Sequence, residues 1–499
     1  MSHERREFEQ DNQNVDETTI LFRNDNFSGN AIPLNDCISG DRFDFREALF
    51  LLNQAAPALL AFLLQYFLQV ASVLTLGHLG SIELAALTLG SMYASITCWS
   101  ICYGTITALD TLCPQGYTSG NPKMVGVYTQ RSILIMMLEF IPIGIIWWVA
   151  EDVLISLGQE IELSKLAALY LRYSLWGVPP CLIFWCLEKF LQGQGIMKAT
   201  TQVLLICCPA NLILNYVLVW WEPIALGFVG APIATSITNW LMLLLTIIYI
   251  KYIDGHEAWQ GWSRTSLEDW SSFGKLAFPG ILTSCADWWI YEIIALVAGF
   301  LGGVPLAAHR LILTIALLMF QLPRSVAVAS SNRVGNLLGA GLPNRAKITT
   351  NVAFILAANG AACNAILLLF FKDSWGYLFS NDKEVVELVA KILPLAALFQ
   401  LSDGIGAIGS GILRGQGRQK VVAAIYLSAY YLIALPLGLI LAFKFNSGLS
   451  GLWWSVTCAS INMGIGIFIA VSVTDWNLEV NNCLERMNIS LRDEEVDVE

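Results

Sequence analysis

The sequence predicts an all-α integral membrane protein of about twelve transmembrane helices, arranged as two six-helix bundles related by a parallel repeat. The composition supports the membrane assignment, because 56% of the 499 residues are hydrophobic and only 13% are charged. A soluble domain carries about 25% charged residues, so the surface of this chain must largely face lipid. The repeat is indicated by short motifs that recur at a nearly constant offset.

Twelve apolar segments are long enough to cross the core of a bilayer, which takes roughly 20 helical residues. They are 48–74, 82–108, 132–150, 165–190, 200–220, 226–250, 277–301, 306–330, 350–371, 392–413, 421–443 and 449–473. The chain then divides into a tail (1–44), an N-terminal bundle (45–250), a linker loop (251–275), a C-terminal bundle (276–475) and an acidic tail (476–499). Both tails are polar, so we expect them to be disordered.

The distribution of basic residues predicts the orientation of the spans. With both tails in the cytoplasm, the inner loops hold twelve Lys and Arg residues and the outer loops hold six. Loops rich in Lys and Arg stay on the cytoplasmic side, so we expect both tails and the linker loop to be cytoplasmic. The tails carry no address signal, which leaves the vacuolar membrane and the plasma membrane as alternatives.

The two halves of the chain share three motifs at equivalent span ends. The pairs are LQGQG (191–195) with LRGQG (413–417), GNP (120–122) with GLP (341–343), and Gly230 with Gly451, at offsets of 222, 221 and 221 residues. Each unit has six spans, so both insert the same way up and are related by an axis along the membrane normal. Two such bundles enclose a cleft, which favours transport by alternating access over a duplicated scaffold without transport.

Three acidic residues lie near the middle of predicted spans, namely Asp287, Glu292 and Asp403. An ionisable side chain at this depth costs about 2.5–3.5 kcal/mol on insertion scales, so it is retained when it faces a cavity or a partner. The equivalent positions in the first half are not acidic: Tyr66, Ala71 and Cys181. This asymmetry predicts a proton or cation site in the C-terminal half.

Helical geometry distinguishes the two acids of the seventh span. Residues five apart point about 140° apart on a helix, so Asp287 and Glu292 do not share a face. We expect Glu292 and Asp403 to couple the ion and Asp287 to support them. Trp288 and Trp289 sit beside these acids, where an aromatic ring attracts an organic cation. The candidate cavity residues are Trp288, Trp289, Tyr291, Gln54 and Thr314.

The remaining charged residues within spans have weaker functional signals. Glu188 and Lys189 are adjacent near an inner helix end, and Arg324 lies near the inner end of its own span. We expect these three to pair or to extend toward the interface. Glu139 lies within the third span, and the sequence assigns it no role.

The sequence gives no sign of an enzyme. It has no GxxxxGK[ST] phosphate-binding loop, and its four His residues lie in predicted tails, loops or a helix start. Ten of the twelve Cys lie in apolar stretches, where they behave as small hydrophobic residues. We therefore expect no metal, no cofactor and no nucleic acid partner, and a monomer in the lipid bilayer.

Several motifs, taken in order, resemble those of the multidrug and toxic compound extrusion (MATE) transporters. They are GHLGSIELAALTLG (77–90), ALDTLCPQGYTSGNP (108–122), EKFLQGQG (188–195), SSNRVGNLLGAGLPNRA (330–346) and SGILRGQGRQK (410–420). CADWWIYE (285–292) is similar to the eukaryotic branch. The resemblance implies that Asp287, Glu292 and Asp403 support proton-coupled export of organic cations or xenobiotics. This chain departs from relatives at Asp287, where many carry Glu, and at Thr314, where animal relatives can carry Glu.

Three alternatives stay open at this point. Sodium coupling is one, because carboxylates bind either ion. A lipid-linked sugar flippase is another, and it is disfavoured because a flippase needs basic residues in its cavity whereas this chain places acids mid-span. A sensor without transport is the third, and the short tails contain no evident output domain.

Overall fold

The computed structural model describes residues 44–496, with side chains through residue 487. The tail predicted to be disordered at 1–44 therefore lies outside the described residues, except for its last position. All regular structure within the described range is helical. The predicted all-helical membrane fold is confirmed.

The spans of the N-terminal bundle are long helices joined by short turns. They are α1 (Phe45–Gly77), α2 (Ser81–Thr118), α3 (Met124–Trp148), α4a (Ile161–Ser174) with α4b (Val178–Gly193), α5 (Lys198–Trp220) and α6 (Gly227–Tyr252). The helix α2 contains a π-helical turn at Ser95–Trp99. A short helix at Ala150–Ser156 connects α3 to α4a.

The C-terminal bundle follows the same order. Its helices are α7 (Trp270–Phe300), α8 (Gly303–Gly339), α9 (Pro343–Phe370), α10 (Lys383–Gln416), α11 (Gln419–Lys444) and α12 (Gly448–Ser472). A final helix, α13 (Trp476–Val496), follows α12. The end of the molecule at which α1 begins and α12 ends is called the tail end here, and the other is the opposite end.

Eleven of the described helices are long and apolar enough to cross a membrane. The remaining predicted span, 165–190, is the pair α4a and α4b, which is interrupted by a 3₁₀ turn at Leu175–Gly177. Pro179 and Pro180 follow at once, and they lack the N–H groups that a continuous helix needs. The fourth span is therefore a broken helix rather than a single one.

The repeat is visible in the backbone of the turns. Gly195 and Gly417 end α4b and α10 with φ values of 82° and 84°, and Gly120 and Gly341 follow α2 and α8 with φ values of 97° and 72°. Positive φ is accessible to glycine at little cost, which explains why the shared motifs keep glycine at these positions.

The bundles meet along α1, α2, α7 and α8. The helix α1 packs against α8, and α2 packs against both α7 and α8. The backbones of α2 and α7 approach closely at Gly104 and Gly280, where an added Cβ would overlap the facing helix. Within the C-terminal bundle, α10 packs on α8, α9 and α12, while α7 packs on α11.

The acidic tail is a correction to the sequence prediction. Residues 476–496 form α13, and only 497–499 lie outside the described range. Val480, Cys483 and Met487 share one helix face and are buried, and the Tyr128 hydroxyl donates to the Met487 sulfur at 3.7 Å. This apolar face, at spacings of three and four residues, stabilises the helix, whereas its high content of charge had predicted disorder.

Candidate functional site

Two of the three predicted coupling acids form a pair inside the C-terminal bundle. Asp287 lies on α7 and Asp403 on α10, close enough for their charges to interact. Asp403 is buried, with 9% of its surface exposed. The tyrosine Tyr430 of α11 donates its hydroxyl hydrogen to Asp287 Oδ1 at 2.9 Å. The pair is therefore enclosed by α7, α10 and α11.

Three tyrosines surround this acidic pair. The ring of Tyr430 lies 6.4 Å from that of Tyr291 and 5.8 Å from that of Tyr426, both edge-to-face. The Ser410 hydroxyl donates to the Tyr426 hydroxyl at 3.3 Å. Tyr430 is fully buried and lies in a π-helical stretch of α11, Ser428–Ala434. Such bulges occur often at functional sites.

Sequence reasoning named Tyr291 as a cavity residue but missed Tyr426 and Tyr430. Their spacing of four residues places both on one face of α11, which was the available signal. The contact between this face and the acids depends on tertiary packing, because Tyr430 is 143 residues from Asp287 in sequence. We name Asp287, Asp403, Tyr291, Tyr426 and Tyr430 the acidic pocket.

The acidic pocket has an unbalanced charge. Within the described part of the chain, neither Asp287 nor Asp403 forms an ion pair with a basic side chain. Two neighbouring carboxylates, one buried and one half-buried, repel each other and are poorly solvated. A bound proton or cation relieves both penalties, so the pocket has the chemistry of an exchange site.

Glu292 lies apart from this pair. Its carboxylate accepts from Arg310 Nη2 of α8 at 3.1 Å, and the Arg310 side chain is 37% exposed. The angular separation expected from the sequence explains why Asp287 and Glu292 contact different helices. The geometry thus groups Asp287 with Asp403, where the sequence had favoured Glu292 with Asp403.

The other predicted cavity residues have separate environments. Trp288 stacks on Tyr103 of α2 with ring centroids 5.9 Å apart, and Trp289 Nε1 donates to Ser100 Oγ at 3.2 Å. Both contacts join the bundles. The Thr314 hydroxyl donates to the Arg310 carbonyl of its own helix. Of the five predicted cavity residues, only Trp288 is among the described residues that line the cavity between the bundles.

A cavity of about 210 Å³ lies between the bundles, with walls formed by α1, α2, α4b, α7 and α8. Glu188, Lys189 and Arg324 line it. The expectation that these residues pair or extend toward the interface is met by Lys189, which pairs with Asp110, and is wrong for Arg324. The guanidinium of Arg324 instead lies over the ring of Phe62 at 4.2 Å and donates to the Tyr103 hydroxyl at 3.3 Å. The sequence argument that no basic residue faces the cavity is corrected accordingly.

An ion network on the tail-end side of this cavity joins the bundles. Asp110 of α2 contacts Lys189 Nζ at 2.7 Å within its own bundle and Arg414 Nε of α10 at 3.5 Å across the interface. The Gln115 amide donates to the Gly415 carbonyl at 2.8 Å. We name Asp110, Lys189 and Arg414 the ion network.

A second ionic contact between the bundles lies at the start of α1. Glu47 accepts from Arg333 Nε at 2.9 Å and Nη2 at 3.1 Å, and from the Thr349 hydroxyl at 2.7 Å. The polar contacts that we find between the bundles thus run from mid-span to the tail end. They hold the tail end closed.

Glu139 on α3 accepts from the Thr105 hydroxyl at 2.7 Å, so it is bound within the N-terminal bundle. Among the described residues, no group of three or more His, Cys, Asp or Glu side chains is arranged to hold a metal ion.

Comparison with known proteins identifies related chains over most of the length. The model of the MatE family matches residues 57–217 and 279–440, one stretch in each bundle. The chain is 33% identical to Multidrug and toxin extrusion protein 1 of Homo sapiens over 460 residues, which is 90% of this chain and 80% of that protein. It is 34% identical to Protein DETOXIFICATION 16 of Arabidopsis thaliana over 441 residues, covering 87% and 90%.

The fold is similar to that of solved transporters. The crystal structure of the eukaryotic MATE transporter AtDTX14 matches with a TM-score of 0.84 and 27% identity, covering 89% of this chain and 99% of that chain. An uncharacterized transporter of Schizosaccharomyces pombe is 40% identical over 438 residues, covering 88% of this chain and 80% of that protein.

Proposed function

Because the chain belongs to the MatE family of membrane transporters, we propose that it is a secondary antiporter that exports organic cations or xenobiotics in exchange for protons. The observation that carries this proposal is the acidic pocket, where Asp287 and Asp403 lie together without a basic partner in the described chain. The relative named Multidrug and toxin extrusion protein 1 supports the substrate class.

The proposed mechanism is competition at the acidic pocket. A proton bound to Asp287 or Asp403 neutralises one of the two carboxylates and weakens the attraction for a cationic substrate. Loss of that proton restores the charge, and the tyrosine rings of Tyr291 and Tyr430 then supply aromatic faces for a cation. A proton and a substrate therefore alternate at one site.

Alternating access requires the bundles to separate at the tail end. In that step the Asp110–Arg414 and Glu47–Arg333 contacts break. The acidic pocket reaches this interface through α7, because α7 carries Asp287 and also packs closely on α2. A change in the Tyr430–Asp287 hydrogen bond thereby alters the position of α7 against the other bundle.

We further propose that the protein acts as a monomer in the vacuolar or plasma membrane with both tails cytoplasmic. The excess of Lys and Arg in the loops of the tail end supports this orientation. On this assignment the bundles are closed on the cytoplasmic side.

The test uses purified full-length protein in sealed liposomes and a fluorescent organic cation. A pH gradient and a sodium gradient are imposed separately on wild type, Asp287→Asn, Asp403→Asn and the matched control Glu292→Gln. We expect uptake driven by the pH gradient that is lost in both Asn variants and kept in Glu292→Gln. Uptake driven only by the sodium gradient would show that sodium, rather than the proton, is the coupling ion at this site.

Movement of none of several cations under either gradient would overturn the proposed substrate class. Transport of lipid-linked sugars would then be measured, since Arg324 gives the cavity a basic group of the kind that a flippase needs.

A further inference from the structure

The cavity between the bundles holds a positive charge that the proposed antiport does not use. Arg324 contacts the Phe62 ring and the Tyr103 hydroxyl, and no carboxylate of the described chain lies within ion-pairing distance of it. A guanidinium has five N–H donors. Most of these donors remain available for an oxyanion, which a guanidinium binds in a bidentate geometry.

The other charges of this cavity leave Arg324 as its anion-binding group. Lys189 is held by Asp110 at 2.7 Å. Glu188 lies close enough to Arg324 for their charges to interact, and its Oε1 atom accepts from Gln192 Nε2 at 3.1 Å. The negative charge of Glu188 therefore repels an anion bound at Arg324, and its removal should strengthen anion binding.

Two amide oxygens add hydrogen-bond acceptors to the lining. Gln192 and Gln321 each use their Nε2 atom, toward Glu188 Oε1 and the Leu317 carbonyl. These partners only accept hydrogen bonds, which fixes the orientation of both amides. Their Oε1 atoms are buried without a partner among the described residues. Both side chains line the cavity, so a small side-chain movement brings either oxygen to a ligand that carries an O–H or N–H group.

Aromatic side chains form the remaining walls. Tyr66, Trp185 and Trp288 line the cavity, together with Tyr103. The volume of about 210 Å³ exceeds the roughly 150 Å³ that holds a benzene molecule in an engineered protein cavity. There is room for one ring with a short polar arm.

We propose that this cavity binds a small aromatic organic anion. Its carboxylate or phosphate contacts Arg324, its ring lies against Trp185 and Trp288, and its hydroxyl or N–H group donates to Gln192 or Gln321. The site is distinct from the acidic pocket and has the opposite charge preference. It does not depend on proton coupling, so either proposal can fail alone.

The test measures binding to the purified full-length protein in lipid nanodiscs by titration calorimetry. The probes are 4-hydroxybenzoate, phenyl phosphate and the neutral 4-hydroxybenzamide. We expect both anions to bind at least tenfold more tightly than the amide. Arg324→Gln should weaken binding of the anions about ten- to hundred-fold, the range for hydrogen bonds to a charged group, and leave the amide unchanged.

Three further variants sharpen the result. Arg324→Lys keeps the charge but loses the planar fork, so its effect should be intermediate. Glu188→Gln should tighten anion binding, and Arg172→Gln, an arginine outside the cavity that pairs with Glu151, should match wild type. A preference for carboxylate over phosphate identifies organic acids as the ligand class, and the reverse identifies phosphorylated compounds.

Equal affinity for the anions and the amide would overturn the proposal, as would unchanged anion binding in Arg324→Gln. If Arg324→Gln does not fold, Glu188→Gln decides: anion binding that fails to tighten there contradicts the assigned site. Transport of organic cations by the Arg324 variants, measured in parallel, shows whether the acidic pocket still works.

Discussion

The ion network and the acidic pocket both bury carboxylates, but only one of them supplies counter-ions. Asp110 is 5% exposed and contacts two basic groups, Lys189 and Arg414. Asp403 is similarly buried, at 9% exposed, and has Asp287 as its charged neighbour. A paired carboxylate holds helices in place, whereas a carboxylate beside another carboxylate depends on an exchangeable ion. The contrast predicts that Asp110 is a structural acid and that Asp287 and Asp403 couple an ion.

The largest expected effect on stability is in the ion network. Asp110→Asn leaves Lys189 buried without its partner, and breaking a buried ion pair costs about 3–5 kcal/mol. Asp403→Asn removes one of two like charges, so its stability should equal or exceed that of wild type. Thermal unfolding of the purified proteins, followed by tryptophan fluorescence, compares them. An equal loss of thermal stability in both variants would contradict the proposed distinction between the ion network and the acidic pocket.

A smaller effect is expected at Tyr430. Tyr430→Phe removes the hydrogen bond to Asp287 Oδ1, and a hydrogen bond to a charged group contributes about 1.5–3 kcal/mol. The lost donor stabilises the ionised carboxylate that attracts the cation, so cation binding in competition with a proton should weaken by up to roughly tenfold. Tyr426→Phe is the matched control, since its hydroxyl contacts Ser410 instead. Equal losses of cation affinity in the two variants would show that the Tyr430–Asp287 hydrogen bond does not determine cation binding.

The smallest effect is expected at Glu292. Its ion pair with Arg310 is partly exposed to solvent, and pairs of this kind contribute about 0.2–1 kcal/mol. Glu292→Gln should keep proton-driven transport within about fivefold of wild type, on the scale of such a pair. Initial rates in liposomes test this. A complete loss of coupling in Glu292→Gln would show that Glu292 couples the ion, as its position in the sequence predicts.

The fold was largely predictable because its signals are local. Apolar runs give the spans, and glycine motifs such as 191–195 and 413–417 mark equivalent turns in the two bundles. The break before Pro179 and Pro180 was readable in principle, since adjacent prolines interrupt helical hydrogen bonding. The helix α13 was missed because its buried face is only a few residues wide among many charges.

The site was only partly predictable because its contacts are long-range. The acids Asp287 and Asp403 are visible as charges inside apolar spans, but their proximity depends on how α7 packs against α10. Tyr430 and Arg324 gave weaker signals, since a tyrosine is ordinary in a membrane span and an arginine near a helix end usually extends to the interface. Tertiary packing determines the environments of both Tyr430 and Arg324.

The most direct test of the account is the release of protons when substrate binds. Purified protein in weakly buffered detergent solution is mixed with an organic cation, and the pH change is recorded with an indicator dye. If a proton and a cation compete for the acidic pocket, wild type and Glu292→Gln should release up to about one proton per protein, as expected for one shared site. Asp403→Asn should release none. Equal proton release by Asp403→Asn and wild type would contradict coupling at this pair.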